Sequence, residues 1–168
     1  DLLNPKWKGK LALPGGGVPV TWMGTMLKTY GMEFVEKVQR QNFVIHTMAA
    51  RGLLDLVIAG EYAGSPAVFD SHTITSRGKG APVDWVPLEP VPVNITQVAL
   101  PKYSSHPHAA LLLIDLKFSK EAAEIEKAYG YLPTRKDVPV ERSYKKFFGT
   151  ESLEEVFQWQ RLYKTTFL

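Results

Sequence analysis

Hydrophobic residues between positions 20 and 41 recur at intervals of three and four, which is the period of an amphipathic helix. The series breaks at Gly31 and resumes after it, so the spacing predicts helices over residues 20–30 and 32–41. The hydrophobic residues of the two series are Trp22, Met23, Met26, Leu27, Tyr30, Phe34, Val35 and Val38.

Short apolar runs bounded by turn residues predict β-strands. These runs lie at residues 11–13, 43–45, 67–69 and 96–100. A short helix is predicted at 47–54, followed by an apolar run that ends at Gly60. Strands that alternate with helices in this way predict an α/β fold, with a mixed and mostly parallel sheet flanked by helices.

Four prolines between residues 82 and 92 lack the backbone donor that a central strand needs. They therefore predict an extended, stiff connector. Beyond it, cap residues and apolar spacing predict helices at residues 107–118, 120–129, 144–148 and 152–165. Ser152 and Glu155 stand at capping-box spacing at the start of the last helix.

The composition is that of a globular domain and excludes several classes of protein. The 168 residues are 45% hydrophobic and 22% charged, which excludes a disordered chain. No run of eighteen apolar residues is present to span a membrane. The net charge of +3, with three lysines around Trp7, is too sparse for a nucleic-acid surface. We therefore expect no nucleic-acid partner.

The strongest local chemical signal is the glycine triplet Gly15, Gly16 and Gly17, between a predicted strand and a predicted helix. Free N–H groups at a helix N-terminus, with no Cβ in the way, can hold a carboxylate or phosphate. Thr21 and Trp22 are predicted to stand at the rim of this turn. A plain strand-to-helix turn explains the triplet equally well, so both interpretations stay open from the residues alone.

Catalytic and metal-binding patterns are missing from the sequence. It contains no nucleophile-elbow, phosphate-loop or zinc-protease motif and no cysteine, and its histidines lack metal-ligand spacing. We therefore expect a protein that is not an enzyme, with no catalytic residue, no metal site and no cofactor.

Five segments, in this order, resemble the extracellular (periplasmic) solute-binding proteins of ABC importers, in the family 1 group that includes the iron(III)-type binders. They are DLLNPKWKGKLALP at 1–14, LVIAGEYAG at 56–64, GAPVDWVPLEP at 80–90, ALPKYSSHPHAALLLIDLKFSKEAAEI at 99–125 and GYLPTRKDV at 130–138. Members of this group clamp a solute between two α/β lobes and deliver it to a membrane permease.

The resemblance implies one lobe of a type II periplasmic-binding-protein fold, in a C-terminal fragment or a truncated relative. Residues 1–88 and 131–168 would form the second lobe. Residues 89–130 would hold the crossover, a strand and helices that belong to or contact a first lobe. The helix at 107–118 is apolar on nearly all sides, so we expect a first lobe or a second copy of the chain to cover it.

The resemblance also implies which residues bind. Gly15, Gly16, Gly17, Thr21 and Trp22 would face the cleft between the lobes. Ser71 and His72 fall near the positions where iron binders place adjacent tyrosines. Glu89 would reach a cationic or hydroxylated solute, and Trp85 would form an apolar wall or pack at the hinge.

The implied function is the capture of a small organic anion, polyol or metal complex for an ABC permease. The protein would be periplasmic or extracellular, and associated with the membrane through the transporter. Two alternatives remain open: a ligand-sensing domain of a regulatory protein, or an enzyme on the same two-lobed fold.

Overall fold

The computed structural model describes residues 2–147 and 152–168. Across them the chain is mixed α/β, as the sequence predicts, with seven α-helices and two small parallel sheets. The helices are α1 (Val18–Tyr30), α2 (Met32–Gln39), α3 (Ala50–Ile58), α4 (Asp70–Gly78), α5 (Pro107–Lys117), α6 (Lys120–Ala128) and α7 (Leu153–Phe167). The strands are β1 (Ala12–Leu13), β2 (Val44–Ile45), β3 (Val91–Pro92) and β4 (Lys146–Phe147), and a 3-10 helix spans Pro5–Trp7.

Strand β1 is central to the first sheet because it is bonded along both edges. The carbonyls of Leu11 and Leu13 accept from Val44 and His46, which aligns β2 parallel to β1. On the other edge the N–H of Ala12 donates to the carbonyl of Gly64, in a single parallel bridge. Parallel neighbours need crossover connections. Helices α1 and α2 connect β1 to β2, and α3 lies in the connection from β2 to Gly64.

The core lies around α1, which packs against α2 and α7. Gly31 separates α1 from α2, as predicted, and its φ of +80° favours glycine. Ser152 is the N-cap of helix α7, and its hydroxyl accepts from the N–H of Glu155. The largest cluster of buried side chains comprises Leu13, Val20, Trp22, Met23, Met26, Val35, Val38, Ala67, Trp159 and Tyr163.

Two predicted strands are irregular in the structure. At residues 67–69 the N–H of Ala67 donates to the Ser65 hydroxyl, a local turn that replaces sheet pairing. Residues 96–100 are exposed and lie outside the strands of the described chain. An apolar run without a neighbouring strand has no partner for its backbone groups, so it does not become a strand.

The predicted helix at 144–148 is also wrong over its described part, residues 144–147. Lys146–Phe147 pairs with Val91–Pro92 instead, while Phe148 lies outside the described residues. The N–H groups of Val91 and Val93 donate to the carbonyls of Lys145 and Phe147. Pro92 falls between these two donors, at the position of the ladder that needs no N–H.

The described chain forms two compact units. Unit 1 comprises Asp1–Val93 and Tyr144–Leu168, and unit 2 comprises Asn94–Ser143. The sequence interpretation divides the chain at 89–130 instead. Residues 131–143 group with unit 2 because Arg142 and Arg135 donate to the carbonyls of Gly130 and Phe118 within that unit.

Unit 2 contains α5 and α6 joined by a tight turn. The Ser119 hydroxyl caps α6 by accepting from the N–H of Ala122, at 3.1 Å. An ion pair between Lys117 and Glu126 ties the end of α5 to α6. In the part of the chain that the structure describes, none of the helices combines the length and the apolar character that crossing a membrane requires.

Candidate ligand-binding site

The carboxyl ends of β1 and β2 meet at the glycine triplet. The N–H of Gly15 donates to the carbonyl of Met48 at 2.8 Å, which joins the turn after β1 to the segment after β2. A Cβ on Gly15 would lie 2.6 Å from the backbone oxygen of Thr47. Glycine is therefore required at position 15, because the turn after β1 and the segment after β2 approach too closely for any side chain.

Gly16 and Gly17 differ from Gly15 because both are exposed. Gly16 has a φ of +86°, and a Cβ on either residue would meet nothing within 4 Å. Gly17 is the N-cap of α1 and has no side chain with which to cap it. Among the described residues, no backbone acceptor pairs with the N–H groups of Gly16, Gly17 and Val18. These groups therefore form an open donor surface at the positive end of α1.

Two helices begin beside this turn. Helix α1 follows β1 through the glycines, and α3 follows β2 after His46, Thr47 and Met48. The connection that leaves β1 leads to β2, which lies on one edge of β1. The connection that leaves β2 leads to Gly64, which lies on the other edge of β1. Ligands of open parallel sheets bind in the crevice outside the carboxyl ends of strands at such a reversal. The glycine triplet lies at that end of the sheet, directly after β1.

Thr21 and Trp22 are not both at the rim. The Thr21 hydroxyl donates back to the carbonyl of Gly17, at 3.3 Å, on a half-buried side chain. Trp22 is only 2% exposed and packs against Phe43 and Phe167. The prediction that Trp22 stands at the rim is wrong, because one helical residue past Thr21 rotates the side chain into the core.

A histidine–tyrosine pair that the sequence interpretation missed lies on the segment behind the turn. Nε2 of His46 and the Tyr62 hydroxyl are 2.9 Å apart, and their rings meet edge to face. The backbone N–H of His46 donates to Leu13, and its carbonyl lies 3.2 Å from the Cβ position of Gly15. The position of His46 directly after a predicted strand was the available signal.

Ser71 and His72 lie in the first turn of α4, as a separate group. The N–H of Ser71 donates to the Asp70 carboxylate at 2.8 Å, and the Ser71 residue is buried. His72 packs edge to face on Phe69. Burial lowers the pKa of His72, the Arg51 charge lowers it further, and Asp70 opposes both. The structure therefore favours a neutral His72.

Arg51 is the cation whose charge acts on His72, but its guanidinium is already engaged. It donates to the Ser76 hydroxyl at 2.7 Å and to the Asp55 carboxylate at 2.8 Å. The bond to Ser76 ties α3 to α4, whereas the bond to Asp55 lies within α3. The described residues contain no group of three or more His, Asp or Glu side chains placed to hold a metal ion.

Glu89 lies away from the glycine triplet. Its backbone carbonyl accepts from the Tyr30 hydroxyl at 2.7 Å, at the far end of α1. Helix α1 has thirteen residues, so its two ends are about 18 Å apart at about 1.5 Å per residue. A single small solute cannot touch both ends. Trp85 packs against Tyr144, with ring centroids 5.1 Å apart.

Family models, curated proteins and solved structures were compared with the chain, and none of them matches it.

Proposed function

We propose that the chain is a solute-binding protein, and more specifically the solute-binding component of an ABC importer. The solute would be a small organic anion, a polyol or a metal complex. One observation supports this above the others: exposed amides at the N-terminus of α1 lie at the carboxyl ends of β1 and β2, where the connections reverse direction.

The electrostatics of the turn favour an anionic group on the solute. The N-terminus of a helix carries a partial positive charge, worth about 0.3–1 kcal/mol toward an anion at an exposed site. Helices α1 and α3 both begin here, and neither has a side-chain cap to compete with a ligand. The His46–Tyr62 pair lies on the adjoining segment and adds polar groups that suit a carboxylate or a hydroxyl.

The remaining predicted residues would act at other places in the same unit. Ser71 and His72 start α4, which follows the Gly64 bridge on the other edge of β1. They would contact a solute only if it extended along this edge from the glycine triplet. Glu89 lies too far away and would instead touch a second binding wall.

An importer of this class hands its solute to an ABC permease, which would be the membrane partner. The protein would act in the periplasm or outside the cell. A clamp buries most of its ligand between two walls. A single wall forfeits much of that contact, so a lobe titrated alone would bind its solute weakly.

The proposal is tested by titrating the chain with sulfate, acetate and glycerol and following each backbone amide by NMR. Saturable shifts centred on Gly16, Gly17 and Val18 would support it. Sodium chloride at equal ionic strength is the control for general charge screening. Shifts that sodium chloride reproduces, or shifts that centre on exposed lysines, would contradict an anion site at this turn.

Two further observations separate the alternatives. Chemical change of a bound probe, followed by mass spectrometry, would favour an enzyme. Stimulation of the ATP hydrolysis of a purified permease by the loaded protein would support the importer. Probe binding without that stimulation would favour a ligand-sensing domain.

A further inference from the structure

Unit 2 exposes far more hydrophobic surface than it buries. Of the twenty large hydrophobic residues that are exposed in the described chain, twelve lie within Asn94–Ser143. Within the same fifty residues, all of which are described, the buried hydrophobic residues are Ala123 and Val138. A unit with so small a core is not stable alone with this surface in water.

Three of the four exposed leucines of α5 lie on one face, whereas the fourth, Leu111, lies on the other side of the helix. Ala109, Leu112, Leu113 and Leu116 recur at the spacing of a helix contact stripe, and we call them the α5 face. Leu112 is 72% exposed, Leu113 66% and Leu116 58%. The half-buried Ala110 and Ile114 mark the opposite side of the helix. The α5 face therefore points away from the packing that α5 already has.

The amount of uncovered surface matches what an interface needs. At roughly 60–120 Å² for a fully exposed side chain of leucine size, the twelve residues, which are 37–88% exposed and spread over unit 2, present on the order of 400–800 Å². The largest apolar patch on a typical monomer is about 300–600 Å². One partner in a standard protein–protein interface contributes about 800 Å².

The charged groups beside the α5 face suit a copy of the same helix. His108 and Asp115 are seven residues apart, so they flank the face on the same side. In an antiparallel pair that crosses at Leu112, His108 of each helix lies alongside Asp115 of the other. The imidazole donates and the carboxylate accepts, twice over, because a twofold axis repeats each contact. Lys117 does not compete with His108 for the Asp115 carboxylate, because Lys117 pairs with Glu126.

We infer that the α5 face docks against the α5 face of a second copy of this chain, antiparallel and about a twofold axis. Leu112 lies at the crossing point, with Leu113 and Leu116 packed around it. This inference is independent of the proposed function, because no residue of the glycine turn takes part in it. It requires that the second copy cover the α5 face and the exposed apolar residues beside it.

The first experiment measures the mass of the full chain by sedimentation velocity over the micromolar range. The wild type should be a dimer, and Leu112→Glu should raise its dissociation constant about tenfold or more. Val86→Glu is the matched control, since Val86 lies in unit 1 and is 73% exposed. It should leave the dimer unchanged.

A monomeric wild type would overturn the inference and would leave a preceding lobe or another protein as the occupant. A Leu112→Glu variant that stays dimeric, or a Val86→Glu variant that dissociates equally, would overturn it too. Circular dichroism verifies that each variant is folded.

The second experiment does not depend on a disruptive substitution, and it uses the absence of cysteine from the chain. His108→Cys and Asp115→Cys are prepared separately, mixed and mildly oxidised. A disulfide needs Cα atoms within about 7 Å, so an antiparallel pair should give mainly the mixed disulfide. Disulfides within each separate variant but few mixed ones would contradict the antiparallel arrangement. Disulfide formation no faster than in Val86→Cys would contradict the interface itself.

Discussion

The indole of Trp159 in α7 lies directly against Gly24 in α1. A Cβ on Gly24 would lie 2.2 Å from Cε3 of Trp159, a distance that real atoms do not reach. Lys28, one turn further along α1, stacks over the same indole and pairs with Glu155 at 2.8 Å. The two helices are thus brought together by the lack of a side chain at one position.

The substitution Gly24→Ala should destabilise the protein although alanine is the better helix former. The helical preference of alanine would favour the variant by about 0.5–1 kcal/mol. Displacing a buried indole costs more, typically about 1–3 kcal/mol for an overpacked core. Urea unfolding should therefore show a lower midpoint for the variant than for the wild type.

Gly52→Ala in α3 is the matched control for this substitution. Its Cβ would meet only Met48, whose sulfur lies 3.4 Å away at the end of a flexible side chain. The free energy of unfolding should stay the same or rise by up to about 1 kcal/mol. Equal losses in both variants would show that the close contact at Trp159 is not the cause.

Substitutions in the glycine triplet should separate stability from anion binding. Gly15→Ala places its Cβ 2.6 Å from a backbone oxygen, and it should lower the free energy of unfolding by about 1–3 kcal/mol. Gly17→Ala meets nothing within 4 Å and should cost less, on the order of 0.5 kcal/mol, because alanine is poorer than glycine at an N-cap. A methyl group beside the exposed amides should nevertheless weaken the sulfate-dependent NMR shifts of Gly16 and Val18. Undiminished shifts in this variant would count against the site.

His72 should make the fold less stable as the pH falls. Its pKa in the folded protein is lowered from the ordinary value of 6.5. Below that value the unfolded chain takes up a proton that the folded protein resists. The free energy of unfolding should therefore rise as the pH increases toward 6.5 and level off above it.

This pH dependence is measured by urea unfolding at a series of pH values. His72→Phe removes the titrating group and keeps a ring against Phe69, so its stability should change less across this window. His106→Gln is the control, because His106 is exposed and its side chain does not cap α5. An unchanged slope in His72→Phe would assign the pH dependence to other groups.

The N-cap of α7 should contribute measurably to stability. The Ser152 hydroxyl accepts from the N–H of Glu155 at 3.2 Å, and removing such a cap costs about 0.5–2 kcal/mol. Thermal unfolding of Ser152→Ala should show this loss. Ser105→Ala, at an exposed position before α5, should unfold like the wild type. A Ser152→Asp variant should retain most of the wild-type stability, because aspartate also caps helices.

Local patterns predicted six of the seven described helices, because their signals lie within one turn, but they missed α4 and placed a helix at 144–148 that the structure does not have. Gly31 breaks the periodicity between α1 and α2, and the Ser119 and Ser152 hydroxyls cap α6 and α7 as sequence spacing indicates. Strands depend on a partner elsewhere in the chain. Residues 67–69 have strand composition without a partner, whereas Lys146–Phe147 pairs with Val91–Pro92 despite a helix-like context.

The candidate site was predictable only as far as the backbone of the glycine turn. Its glycines were recognisable because each reflects a local conformation or a close approach. The orientation of Trp22 was not, since apolar helix residues near a predicted ligand site can face either the solute or the core. The His46–Tyr62 pair joins residues sixteen positions apart. Only the fold shows that they meet.

The pairing of β3 with β4 makes unit 2 removable. The chain leaves unit 1 after Val93 and re-enters it at Tyr144, and both points adjoin this one pair of strands. Because the strands are parallel, with Val91 opposite Lys146, the two points are offset by about four residues of strand, or about 13 Å. A flexible linker of about six residues spans that distance. Joining residue 93 to residue 144 in this way would give a shortened protein that keeps the glycine turn and lacks the leucines of α5.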